Sequence, residues 1–138
     1  MVPGRVRLSV EFRDLSEATL IALGEDLRAR ADRIARESRT TITATLATKN
    51  PAAPAHSGVQ AVIERAAGTA GLAARRLPSG AGHDAQMIAA LCPMGMIFVP
   101  SIGGISHSPK ERTGWDDCAR GAAVLLGAVL ELDQRADV

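Results

Sequence analysis

The chain has 138 residues, the size of one ordinary domain, with a formal net charge of +1, 46% hydrophobic residues and only 2% aromatic. Near-neutral charge removes the electrostatic basis for binding nucleic acid or an anionic membrane, and one Trp, two Phe and no Tyr make no stacking platform for single strands. No apolar run reaches the ~20 residues that span a bilayer, and the first residues lack a signal-peptide core, so a cytoplasmic location is expected.

Arg5 to Arg13 alternates strictly, with Val6, Leu8, Val10 and Phe12 on one face, which predicts a half-buried strand. Ser16 then stands as a helix cap, Glu17 sits near the helix start, and Leu20, Leu23, Leu27, Ala31 and Ile34 form one stripe. Thr40 to Ala47 alternates again, so residues 1–50 read as a β-α-β unit. Lys49 to Pro54 holds two prolines and no periodicity, which marks a boundary.

Beyond the boundary, Ser57 is the expected cap of a helix carrying Val59, Val62, Ile63, Ala66 and Ala70, terminated by Gly71. Ala73 to Leu77 predicts a short strand and Asp84 to Leu91 a short helix. Met96 to Val99 reads as a strand buried on both faces. Thr113 and Asp116 resemble a capping box opening a last helix, with Cys118, Ala122, Leu125, Val129 and Leu132 as its stripe. A charged, frayed tail is expected over Asp133 to Val138. The whole is expected to be α/β. Cys92 and Cys118 form no CxxC pair and are expected to be buried free thiols.

Chemistry concentrates in two glycine-rich loops. Leu77-Pro78-Ser79-Gly80-Ala81-Gly82-His83-Asp84-Ala85 holds one histidine, and Gly103-Gly104-Ile105-Ser106-His107-Ser108-Pro109 holds another. Glycine lets backbone approach a ligand closely, and loops beyond strand ends are where α/β folds bind ligands. His107 is the first candidate for a ligand or acid/base. His83 and Asp84 are either a loop pair reaching one cleft or, more plainly, a hydrogen-bonded loop residue and the cap of the helix that follows. Arg13 is either a surface arginine or a bidentate clamp for a carboxylate. His56 reads as solvated. No GxSxG, HExxH, GxGxxG or P-loop spacing is present.

Taken with Val2-Pro3-Gly4-Arg5-Val6, Glu11-Phe12-Arg13 and Phe98-Val99-Pro100-Ser101, these loops resemble the C-terminal part of the zinc-dependent amidohydrolases. That family includes N-carbamoyl-L-amino acid hydrolases, allantoate amidohydrolases and β-ureidopropionases. The resemblance implies that residues 1–50 are the second half of a β-α-β-β-α-β lid and dimerisation domain. Residues 51–138 would be the C-terminal α/β part of a dinuclear-metal hydrolase catalytic domain. It also implies Arg13 as the grip on a substrate carboxylate, His107 as a zinc (or manganese) ligand, and His83, Asp84, Gly82 and Ser106 as active-site loop residues.

The implied reaction is hydrolysis of a linear C–N bond in a small, carboxylate-bearing amide. The family's HxD metal motif, bridging Asp, Glu-Glu pair and lid histidine have no counterpart here, and a catalytic zinc normally takes three protein ligands. The chain therefore looks like a fragment or split-enzyme half, inactive alone, that needs a complementary N-terminal half or a homo-oligomer. A non-catalytic remnant or dimerisation module of the same fold, and an aminoacylase or peptidase of the same superfamily, remain as alternatives.

Overall fold

The computed structural model describes residues 3–135. Met1, Val2 of the amino-terminal motif, and the last three residues of the expected tail lie outside them. The chain divides into two compact units, Met1–Ala52 and Ala53–Val138.

The first unit is built on helix α1 (Glu17–Ser38). Its start is specified locally. Ser16 takes extended backbone and its Oγ accepts the Thr19 N–H at 3.3 Å. Glu17, in the first turn, adds the negative charge that the helix dipole favours there. Lys49 Nζ lies 2.7 Å from the Glu17 carboxylate, and this hydrogen-bonded pairing holds that carboxyl below its usual range. At the other end Arg39 adopts φ 54°, and the Thr40 N–H reaches back to Ala35 O at 3.1 Å. That is the left-handed closure glycine normally provides. The half-buried stripe is Leu20, Leu23, Leu27, Ala31 and Ala35. Ile34, expected on it, is exposed, because a four-residue step from Ala31 carries the stripe to Ala35.

The strands expected around this helix do not form. Val6, Leu8, Val10 and Phe12 are all exposed, and residues 40–47 are exposed throughout. Among the described residues there is no strand in either unit. Ala73 to Leu77 is exposed, and Met96 to Val99, expected to be buried on both faces, leaves Phe98 and Val99 exposed. The α/β expectation is thereby corrected to helices joined by irregular segments. Alternation marks a face to bury, but a ladder also needs a neighbouring segment to exchange hydrogen bonds.

The second unit contains α2 (Ser57–Thr69), α3 (Asp84–Ile88), a short 3₁₀ turn (Ile102–Gly104) and α4 (Trp115–Asp133). α2 and α4 pack together and supply most of the core: Val59, Val62 and Ala67 from one, Val124 and Ala128 from the other, with Met94. α2 ends in a Schellman motif. Gly71 takes φ 70°, its N–H donates to Gly68 O at 3.0 Å, and the Leu72 N–H donates to Ala67 O at 2.9 Å. The start of α2 differs from expectation, since His56 is the cap position and Ser57 the first helical residue. His56 is instead tied by its N–H to Met94 O at 2.8 Å. α4 likewise begins after Gly114 with no side-chain cap, so the Thr113–Asp116 capping box is not made.

α4 buries a different face from the one its leucines suggest. Leu125 and Val129 are exposed, while Gly121, Val124, Gly127 and Ala128 face inward. Apolar residues surround this helix, so periodicity could not select a face. Close approach did: a Cβ on Gly127 would lie 3.3 Å from Ala66 Cβ. The two cysteines, expected to be buried, are both exposed. Cys118 lies on the face of α4 that turns away from α2, and Cys92 in the turns that follow α3. An ion pair bridges the helices at their rim, with Arg65 Nε and Nη2 donating to Glu131 Oε1 at 2.9 and 2.7 Å. A second, between Arg76 and Glu64, pins the outgoing segment to α2 with hydrogen bonds of 2.7 and 2.9 Å. No described helix is long and apolar enough to cross a membrane.

Two outcomes follow for stability. Gly95 lies against α2, where an added Cβ would meet Val59 Cγ1 at 2.6 Å and Ile63 Cδ1 at 3.1 Å. Both neighbours are β-branched and stiff, so Gly95→Ala should destabilise the unit by about 1–3 kcal/mol in urea unfolding. The Gly95→Ala/Val59→Ala double variant should lose less than the sum of its two single changes. The second outcome concerns pH. The Arg65 hydrogen bond, with Arg65 and Arg135 charge beside it, lowers the Glu131 carboxyl, and Arg76 lowers Glu64 in the same way. A lowered carboxyl adds stability above its unfolded value that is lost as pH falls through its folded one. The urea midpoint should therefore drop on acidification below about pH 4.5. Glu131→Gln should make that drop shallower; an unchanged slope would remove the pair's contribution.

Candidate active site

His107 sits in a loop tied at its base. The Ile102 N–H donates to Arg112 O at 2.8 Å, and Ser101 Oγ donates to Ile105 O at 2.5 Å. Gly103 and Gly104, within the 3₁₀ segment, take φ 69° and 67°, which lets the chain turn there. On the return limb, Ser108 to Glu111 forms a turn closed by the Glu111 N–H on Ser108 O at 2.9 Å. Pro109 occupies the second position of that turn, where its fixed φ suits the geometry.

Within this frame His107 itself takes φ 55°, one of two non-glycine residues with positive φ among those described. Its N–H donates to Glu111 Oε2 at 2.7 Å, a charge-assisted bond that helps hold the unusual conformation. The side chain is exposed, as is neighbouring Ser106.

The other glycine loop is organised around its histidine. His83 is the cap residue of α3 and makes no side-chain capping bond, while Asp84 occupies the first turn and is exposed, as is Gly82. His83 Nε2 lies 2.7 Å from Ser79 Oγ, and the imidazole packs edge-on against Phe98, with centroids 5.7 Å apart and planes at 64°. His83 is hydrogen-bonded, as the plainer reading of the pair has it, but the cap position falls on His83 and not on Asp84. Ser79 and Glu111 are the partners that sequence reading did not single out. Each stands four residues from a candidate histidine, a spacing that only the loop geometry converts into contact.

Arg13 belongs to the first unit. Its Nε and Nη2 both lie 2.9 Å from Glu11 Oε1, two positions back on the polar side of the alternation. One edge of the guanidinium is thus paired with Glu11.

Among the described residues, no three His, Cys, Asp or Glu side chains come together as a metal site. The residues present do not fit a complete metal centre, which normally takes three protein ligands. Two open depressions in the second unit, one of about 320 Å³ beside His56 and Cys92 and one of about 370 Å³ at the base of the His107 loop, are lined by neither loop histidine.

Residues 4–131 match peptidase family M20/M25/M40, and the chain belongs to that family. An N-carbamoyl-L-amino acid amidohydrolase from Geobacillus stearothermophilus is 37% identical over 134 residues, which are 97% of this chain and 33% of that protein. An allantoate amidohydrolase from Bacillus subtilis is 32% identical, over 96% of this chain and 32% of its own length. A solved structure from Burkholderia cenocepacia, described as an amidohydrolase/peptidase, superposes with a TM-score of 0.75 at 35% identity. It covers 88% of this chain and 30% of the other. The chain thus spans about a third of the length of the curated relatives it matches.

The tied loop generates one test. The His107 amide should exchange slowly with solvent, and Glu111→Ala should speed that exchange about tenfold by removing its acceptor. Equal rates in the two proteins would show that Glu111 does not hold the conformation.

Proposed function

We propose that the chain is the C-terminal portion of a metal-dependent amidohydrolase that cleaves linear C–N bonds in N-carbamoyl amino acids or allantoate-like amides. The observation that carries this reading is the tied, left-handed His107 loop within a segment similar to amidohydrolases along nearly its whole length. In this reading residues 1–50 form half of a lid and residues 51–138 the C-terminal part of the catalytic domain. Arg13 binds the substrate carboxylate, through a planar fork that matches carboxylate geometry. His107 offers its imidazole to a divalent ion, zinc or manganese, whose other ligands come from outside this chain. When bound, that ion supplies Lewis acidity at the scissile carbonyl. For a carbamoyl substrate, water adds and the products are the amino acid, ammonia and carbon dioxide.

The exposed apolar faces support the need for more polypeptide. Val6, Leu8 and Val10 in the first unit, and Leu125, Leu126, Val129 and Leu130 in the second, are all more than half exposed. A complementary amino-terminal portion would cover them. A second copy of the chain is the competing occupant, and it corresponds to a dimerisation module without turnover.

The experiment is reconstitution. The purified chain should hold zinc weakly and release no ammonia from N-carbamoyl amino acids; ammonia release by the chain alone would overturn the reading. Mixed with the amino-terminal two-thirds of the Geobacillus relative, it should gain activity. His107→Ala should then abolish turnover together with bound metal. Arg13→Ala should raise KM for carboxylate substrates about 10- to 100-fold with a smaller change in kcat, the size expected for losing charge-assisted hydrogen bonds. Failure of every mixture, with a stable homodimer in solution, would favour the module.

A further inference from the structure

We infer that Ser79 is a positioning residue that fixes the tautomer of His83, leaving its Nδ1–H as the ring's available hydrogen-bond donor. The hydroxyl of Ser79 has one proton and two lone pairs. One lone pair accepts the Ala81 N–H at 3.3 Å, and His83 Nε2 stands 2.7 Å from the same oxygen. An imidazole nitrogen at that distance is a good acceptor for the hydroxyl proton. Pointing the proton there satisfies the hydroxyl as donor and acceptor together. In the alternative, Nε2–H donating to Oγ, both lone pairs would be taken by N–H donors and the hydroxyl proton would have to find another acceptor.

The setting resists rotation of the ring. Both residues are half-buried, and the edge-on contact with Phe98 at 5.7 Å defines the plane of the imidazole. The backbone is equally constrained, because His83 is the cap of α3 and its carbonyl accepts the Gln86 N–H at 2.9 Å. Neutral histidine in water prefers the proton on Nε2, so holding it on Nδ1 is a specific effect of this neighbour. The consequence is chemical. With Nε2 occupied by Ser79, His83 meets an oxygen-bearing ligand through Nδ1–H, as a donor and not as a general base. This last step rests on the amidohydrolase reading; the tautomer does not.

The test separates the two. In long-range ¹H–¹⁵N spectra of the chain alone, recorded above pH 8, His83 should show a protonated Nδ1 and an unprotonated Nε2. Ser79→Ala should shift the ring toward Nε2–H, and Ser79→Thr, which keeps the hydroxyl, should retain Nδ1–H. A protonated Nε2 in the wild-type chain would overturn the inference, and so would the same tautomer in the wild type and Ser79→Ala. The wild-type spectrum decides even if Ser79→Ala fails to fold. In a reconstituted enzyme, Ser79→Ala should lower kcat/KM about tenfold, roughly the loss of one hydrogen bond, and Ser79→Thr should restore it. A changed tautomer with unchanged kcat/KM would remove the donor role and leave the tautomer assignment standing.

Discussion

The close contact between α2 and α4 is the constraint on which the second unit depends. It is made with small residues: Gly127 faces Ala66, and Ala67 and Ala128 are buried beside Val59, Val62 and Val124. Small side chains let two helices approach until backbone shape, more than side-chain bulk, sets the fit. The same economy recurs where irregular segments meet the helices, with Gly95 under Val59 and Gly121 under Val99. With almost no aromatic volume available, density has to come from proximity. The Arg65–Glu131 pair then bridges the rim, where its exposure keeps its contribution to stability small.

Around that helix pair the two glycine loops are held by short-range bonds. The His107 loop is closed at its base by backbone and by Ser101, and at its tip by Glu111. His83 is anchored by Ser79 and Phe98. Both arrangements draw their partners from within a few residues or from the adjoining segment, so each loop can be pre-formed although the described residues make no complete metal site.

Membership of the M20/M25/M40 family was legible in the strings around His83 and His107 and in the Glu11-Phe12-Arg13 segment. Helix positions were legible too, because Ser16 as a cap and Gly71 as a terminator act through bonds within one turn. The strands were not realised. Val6, Leu8, Val10 and Phe12 describe a face that wants covering, yet nothing in the alternation says whether a partner segment is at hand. Cys92 and Cys118 were misplaced for a related reason: composition describes how often a thiol is buried on average, not which side of a particular helix meets its neighbour.

What the sequence by itself determined, then, is what depends on near neighbours along the chain: the Ser16 start of α1, the Gly71 end of α2, and which loops carry histidines. The tertiary structure alone decided which face of α4 turns inward, that the His107 N–H is held by Glu111, and that Ser79 engages the His83 ring. Those outcomes depend on distances between atoms. On an apolar helix or in a glycine-rich loop, many arrangements satisfy the same local rules, and only packing chooses among them.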